Sequence, residues 1–95
     1  MSINILSPSQ LKREIAKQAK QRRLEINMSR KTLALRSKVP ASTIKRFETS
    51  GDLSLDALLR IALVLDCLDQ FTELFIARTP ISLYKMPVIR KRGRE

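Results

Sequence analysis

Ninety-five residues carry nineteen lysines and arginines against nine aspartates and glutamates, for a net charge of +10, with no histidine, one cysteine and two glycines. That length holds one domain, or one domain and a tail, and 43% apolar residues are enough for a core, so a wholly disordered polycation is unexpected. The composition excludes Ser-His-Asp and Cys-His triads, His-containing zinc sites and an intrachain disulfide, and two glycines are too few for a P-loop or a dinucleotide-binding turn.

Ser7-Pro8-Ser9 opens a first helix, with proline near the first turn and serine available as a cap. Leu11, Ile15, Ala16 and Ala19 recur at helical spacing among Lys12, Arg13, Lys17, Lys20 and Arg22, and predict a helix running to about Leu24 and fraying near Asn27. Ile26 and Met28 carry apolar contacts through the connection. Ser29 caps a short second helix that ends near Ser37-Lys38, with Leu33 and Ala34 inward. Val39-Pro40 forces an extended step, because a residue before proline is pushed out of the helical region. A third helix follows from about Ala41 to Thr49; Ile44 and Phe47 form its buried stripe, and Ser42, Thr43, Lys45 and Arg46 stay polar. Ser50-Gly51-Asp52 is turn chemistry, and Ser54 caps a leucine-rich fourth helix with Asp56 in its first turn. Asp69 is placed to cap a short fifth helix through Phe71, Leu74, Phe75 and Ile76, which Thr79-Pro80 ends. Ile81 to Met86 alternates apolar and polar residues as one short strand or an ordered arm would, and Val88 to Glu95 reads as a basic tail.

The charge is unevenly divided along this order. Residues 9–50 hold twelve basic and three acidic side chains, net +9, residues 51–76 are net −4, and residues 77–95 are net +5. The first segment therefore reads as a face for a polyanion and the second as a part turned away from it. No run of apolar residues is long enough to span a membrane, the N-terminus lacks the features of a signal peptide, and a cytoplasmic location is expected.

Two short helices joined by a tight turn, the second presenting Ser, Thr, Lys and Arg, form the arrangement of a helix-turn-helix reader of double-stranded DNA. A helix fits the major groove, where each base pair shows a distinct pattern of donors and acceptors, while flanking cations hold phosphates and set register.

From about Leu11 to Leu65 the chain resembles the Xre/Cro family of phage-repressor-type regulators. The resemblance is carried by Arg23, Met28-Ser29, Leu33-Ala34, Val39-Pro40, Ile44 and Glu48. The Ser-Pro-Ser-Gln-Leu opening, the run Phe47-Glu48-Thr49-Ser50-Gly51 and the leucine-rich fourth helix look more narrowly like HipB-type antitoxins, which pair with HipA-type kinase toxins. The implied fold is all-α: a five-helix, lambda-repressor-like DNA-binding domain over residues 9–78, after a lead at 1–8 and before a basic C-terminal arm at 79–95 able to form one strand.

The resemblance implies base reading by Ala41, Ser42, Thr43, Lys45 and Arg46. Arg46 is the strongest of these, because arginine meets guanine O6 and N7 with two parallel hydrogen bonds. It places Ser29, Arg30, Lys31 and Lys38 at phosphates and makes Arg23 and Glu48 an ion pair between the first and third helices. The chain departs from the family at Lys38, where glycine is frequent, and at Pro40, where the third helix usually starts on Ser or Thr. Leu58, Ile61, Ala62 and Leu65 are expected in the core, leaving Leu59, Leu63, Phe71 and Phe75 for a homodimer or partner surface. The C-terminal arm has three readings: a second DNA contact, a toxin contact, or a solvated tail. Cys67 reads as a small buried hydrophobe. The function expected is a sequence-specific repressor, dimeric on a palindromic operator, and the antitoxin of a HipA-type operon that it autoregulates; the alternative is a protein-interaction module that neutralises a toxin, with DNA binding secondary. No enzyme activity, cofactor or metal site is expected.

Overall fold

Serine begins three of the helices in the computed structural model, which describes residues 7–76. Ser7 starts α1 (Pro8–Glu25) with a reciprocal cap: its Oγ accepts the Gln10 N–H at 3.2 Å and its own N–H donates to Gln10 Oε1 at 2.9 Å. Ser29 starts α2 (Arg30–Ser37) by accepting the Thr32 N–H at 3.0 Å, and Ser54 starts α4 (Leu55–Val64) by accepting the Ala57 N–H at 3.1 Å. Between them α3 (Ala41–Ser50) starts on Pro40, which offers no side-chain cap but has a backbone already turned for the helix, at φ −56°.

These elements fold onto a core of Ala16, Leu33, Val39, Ile44, Phe47, Ile61 and Leu65. Ile44 and Phe47 come from the inner stripe of α3, Leu33 from α2, Ile61 from α4, and Ala16 lets α1 approach closely. Leu11, expected inward, lies near the open end of α1 and is 45% exposed. Leu58 is only half-buried, whereas Ile61, Ala62 and Leu65 are buried.

The turn between α2 and α3 is anchored by the buried Ser37 and Val39 on either side of an exposed Lys38, so backbone polar groups at the buried positions need partners. The buried Ser37 hydroxyl supplies two, donating to the Leu33 carbonyl at 2.7 Å and accepting the Val39 N–H at 3.3 Å. Lys38 then turns left-handed, at φ 63° and ψ 30°, and Val39 drops into the core. This fixes the start of α3 against α2.

The expected fifth helix is replaced by a single 3-10 turn, Leu68–Phe71, so the described residues contain four α-helices. Asp69 does not cap it. The capping position falls on Cys67, which makes no side-chain cap bond, and Asp69 lies within the turn. The Thr72 hydroxyl and N–H both return to the Asp69 carbonyl, at 2.9 and 3.3 Å, closing a turn where an α-helix would continue. The possible strand at 81–86 and the rest of the basic arm at 79–95 lie outside the described residues.

Candidate nucleic-acid interface

α3 divides cleanly by face. Ile44 and Phe47 are buried, and the Glu48 side chain is 3% exposed, whereas Ala41, Ser42, Lys45, Arg46 and Thr49 are exposed. Positions 42, 45, 46 and 49 fall at the three-and-four spacing that lines one side of a helix. Thr43, expected among the base readers, is half-buried at the edge of this face. Thr49 returns its hydroxyl to the Lys45 carbonyl at 3.1 Å, and Ser50 returns its own to the Arg46 carbonyl at 2.9 Å. Ser42, Lys45 and Arg46 make no side-chain hydrogen bond to any described residue, so their polar groups are open to an outside partner.

The positions assigned to phosphate separate into two kinds. Lys31, in the first turn of α2, and Lys38, just past its end, are exposed and pair with no described carboxylate. Ser29 and Arg30 are engaged internally. The Ser29 oxygen holds Thr32, and the Nε of Arg30 donates to Glu48 Oε1 at 2.8 Å.

Arg23 and Glu48 lie together beneath this surface. Arg23 Nε donates to Glu48 Oε2 at 2.8 Å, its Nη2 donates to Oε1 at 3.1 Å, and its Nη1 donates to the Met28 carbonyl at 2.8 Å. The pair is a planar fork meeting a carboxylate, the geometry in which an arginine ion pair is strongest. Burial alone pushes the Glu48 carboxyl up, but the hydrogen bonds and charges of Arg23 and Arg30 outweigh it and hold the group below its ordinary value of 4.5. The carboxylate stays charged, and α1, α2 and α3 are tied at one point.

A second ion pair borders the exposed face. Lys12 Nζ lies 2.7 Å from Asp52 Oδ1, just beyond the end of α3, and this hydrogen bond, helped by the charges of Lys12 and Arg46, depresses the Asp52 carboxyl. Arg46 therefore has an acid in its field without being bonded to it.

Neither the Arg30–Glu48 bond nor the Lys12–Asp52 pair is read from the sequence, because the first joins two helices, the second joins α1 to the segment after α3, and no local spacing marks either. The buried Ser37 leaves a faint signal, a serine in the last turn of a helix where a hydroxyl can reach back four residues. Of the leftover apolar positions, Leu63 is 63% exposed and Phe75 fully so, while Leu59 and Phe71 are half-buried. Phe71 lines a small cavity of about 90 Å³ between α1, α4 and the 3-10 turn, together with Ile15, Ala19 and Leu58. Among the described residues no helix is long and apolar enough to cross a membrane.

No curated protein matches the chain, and no solved structure does. A family model described as helix-turn-helix matches residues 20–68, from the last third of α1 to the start of the 3-10 turn. That match covers just over half of the chain and includes the whole of α2, the turn and α3, where the open polar face and its buried anchor lie; the chain belongs to this helix-turn-helix family, Xre/Cro-like domains that bind DNA in transcription regulation.

Proposed function

We propose that the chain is a sequence-specific repressor that inserts α3 into the major groove and binds a palindromic operator as a homodimer. The observation that carries this reading is the asymmetry of α3: its inner side is fixed by Ile44, Phe47 and Glu48, and its outer side offers Ser42, Lys45 and Arg46 unbonded. Ala41 is small enough to let the helix approach the groove, and Thr43 flanks the reading face. Lys31 and Lys38 supply phosphate contacts, with Ser29 and Arg30 at the start of α2. Resemblance to HipB-type antitoxins adds a second role, neutralising a HipA-type kinase toxin encoded beside it, so that the complex represses its own operon.

The test is selection of bound duplexes from a random pool, followed by binding measurements with Arg46→Ala. A two-fold symmetric site is expected, and the substitution should cost roughly 1–3 kcal/mol on that site and relax preference at one base position. Equal losses on selected and random DNA would remove Arg46 from the reading face. The exposure of Leu63 and Phe75 favours the second reading, an interaction module that chiefly neutralises a toxin. That reading expects no sequence enrichment and a stoichiometric kinase partner on pulldown.

A further inference from the structure

Glu48 carries one negative charge and receives two arginines. Its Oε2 accepts from Arg23 Nε at 2.8 Å, and its Oε1 accepts from Arg23 Nη2 at 3.1 Å and from Arg30 Nε at 2.8 Å. The Arg23 and Glu48 side chains are 6% and 3% exposed, whereas that of Arg30 is 37% exposed. The triad therefore has one positive charge in excess, and burial leaves that excess at the outer end of Arg30. There Nη1 and Nη2 bond no other described residue. Arg30 is also the first residue of α2, followed by Lys31, and the first turn holds no acid. Two cations at the positive end of a helix dipole repel it, and a bound anion relieves both the repulsion and the excess charge.

We propose that Glu48 is a positioning residue for the DNA backbone: it holds Arg30 through Nε so that Nη1 and Nη2 grip one phosphate at the start of α2. The inference deepens the DNA reading above and rests on it. Guanidinium suits the task because its planar fork can bond two anions on different edges, which a single ammonium does less well. The ordering of the Arg30 side chain then occurs on folding rather than on binding, which favours affinity. Because Glu48 belongs to α3, the gripped phosphate is also fixed relative to Lys45 and Arg46 on the same helix.

The experiment measures fluorescence anisotropy of the full chain on a selected duplex and on a random one, over a salt series. The variants are Arg30→Ala, Arg30→Lys, Glu48→Gln and the double variant Arg30→Ala with Glu48→Gln. Arg30→Ala should weaken both duplexes about ten-fold and lower the salt slope by about one phosphate's worth. Arg30→Lys, despite keeping the charge, should lose most of the same affinity. In the Glu48→Gln background, Arg30→Ala should lose much less than it does alone, since the grip is already released. Independent, multiplying losses from Arg30→Ala and Glu48→Gln overturn the positioning role, and so does wild-type binding by Arg30→Lys; both leave the DNA reading intact. A wild-type chain with no salt-dependent binding to either duplex overturns the DNA reading and the inference with it. Circular dichroism establishes that each variant is folded, and if Glu48→Gln is not, the Arg30→Lys comparison decides alone.

Discussion

Four residues turn left-handed in the described chain, Asn27 at φ 57°, Lys38 at φ 63°, Gly51 at φ 85° and Asp66 at φ 62°, and each closes one of the four α-helices. At Asn27 and Asp66 the following N–H reaches back over the turn, Met28 to the Arg23 carbonyl at 3.0 Å and Cys67 to the Ala62 carbonyl at 2.8 Å. Asn and Asp tolerate this conformation better than other side chains, and Lys does not. Gly51 is bound by a further constraint, because a Cβ there would lie 2.8 Å from the backbone carbon and oxygen of Lys12 and 3.0 Å from the Arg13 nitrogen. Gly51→Ala should therefore destabilise the fold by about 2–4 kcal/mol, from left-handed strain and from displacement of α1. Lys38→Gly should act in the opposite direction, raising stability by about 0.5–1 kcal/mol as strain is relieved against a more flexible unfolded chain. Urea unfolding of both variants checks the pair of signs. If Lys38 holds a phosphate, the more stable glycine variant should also bind all DNA sequences more weakly, which separates its two effects.

Helix boundaries were largely legible because their causes are local. Ser29 and Ser54 announce α2 and α4, and the apolar stripes of α1, α3 and α4 repeat at helical spacing. The missing fifth helix is also local in origin: a few residues without an effective cap, interrupted by a threonine that bonds its own backbone, cannot offset the cost of nucleation. What joins the elements was less legible. The Arg23–Glu48 pair is legible only through the family resemblance, and the entry of Arg30 depends on how α2 crosses α3. That junction makes helix association sensitive to acid. The Glu48 carboxyl sits below its ordinary value of 4.5 in the folded chain, so on acidification the unfolded chain takes up this proton first. Its contribution is full above the unfolded value and is lost as pH falls from there through the folded value. Glu48→Ala should cost about 3–5 kcal/mol near neutral pH, because Arg23 is left buried without its anion. Its stability should then vary less with pH than the wild type's below that ordinary value. Thermal melts over a pH series read both effects, and parallel curves for variant and wild type would count against this assignment.

Across the whole molecule, charge divides along the chain, whereas exposed apolar residues lie in both parts, Leu24 and Leu35 in the basic segment among them. The helices proposed to meet DNA lie in the segment of net +9, whereas residues 51–76, net −4, contain α4 and the 3-10 turn. Phosphates would repel that acidic segment, so its exposed apolar residues are better suited to protein than to DNA. Leu55 and Leu63 on α4 are 65% and 63% exposed, and Leu74 and Phe75 beyond the 3-10 turn are 61% and 100% exposed. If these side chains join two copies in the proposed dimer, each buried one contributes about 1.5–3 kcal/mol to association. Replacing Leu63 and Phe75 together by glutamate should then convert the dimer to a folded monomer at micromolar concentration, read by analytical ultracentrifugation. Both sites lie outside the proposed reading helix, so the monomer should keep its binding to a single half-site and the salt slope of that binding. Its affinity for the full palindrome should fall, because two linked half-sites gain from a raised effective concentration that independent monomers lack. A wild-type chain that sediments as a monomer, or a double variant that stays dimeric, would move the association surface away from Leu63 and Phe75. Loss of half-site binding in a folded monomer would instead show that this face takes part in gripping DNA, against the division that the charges draw.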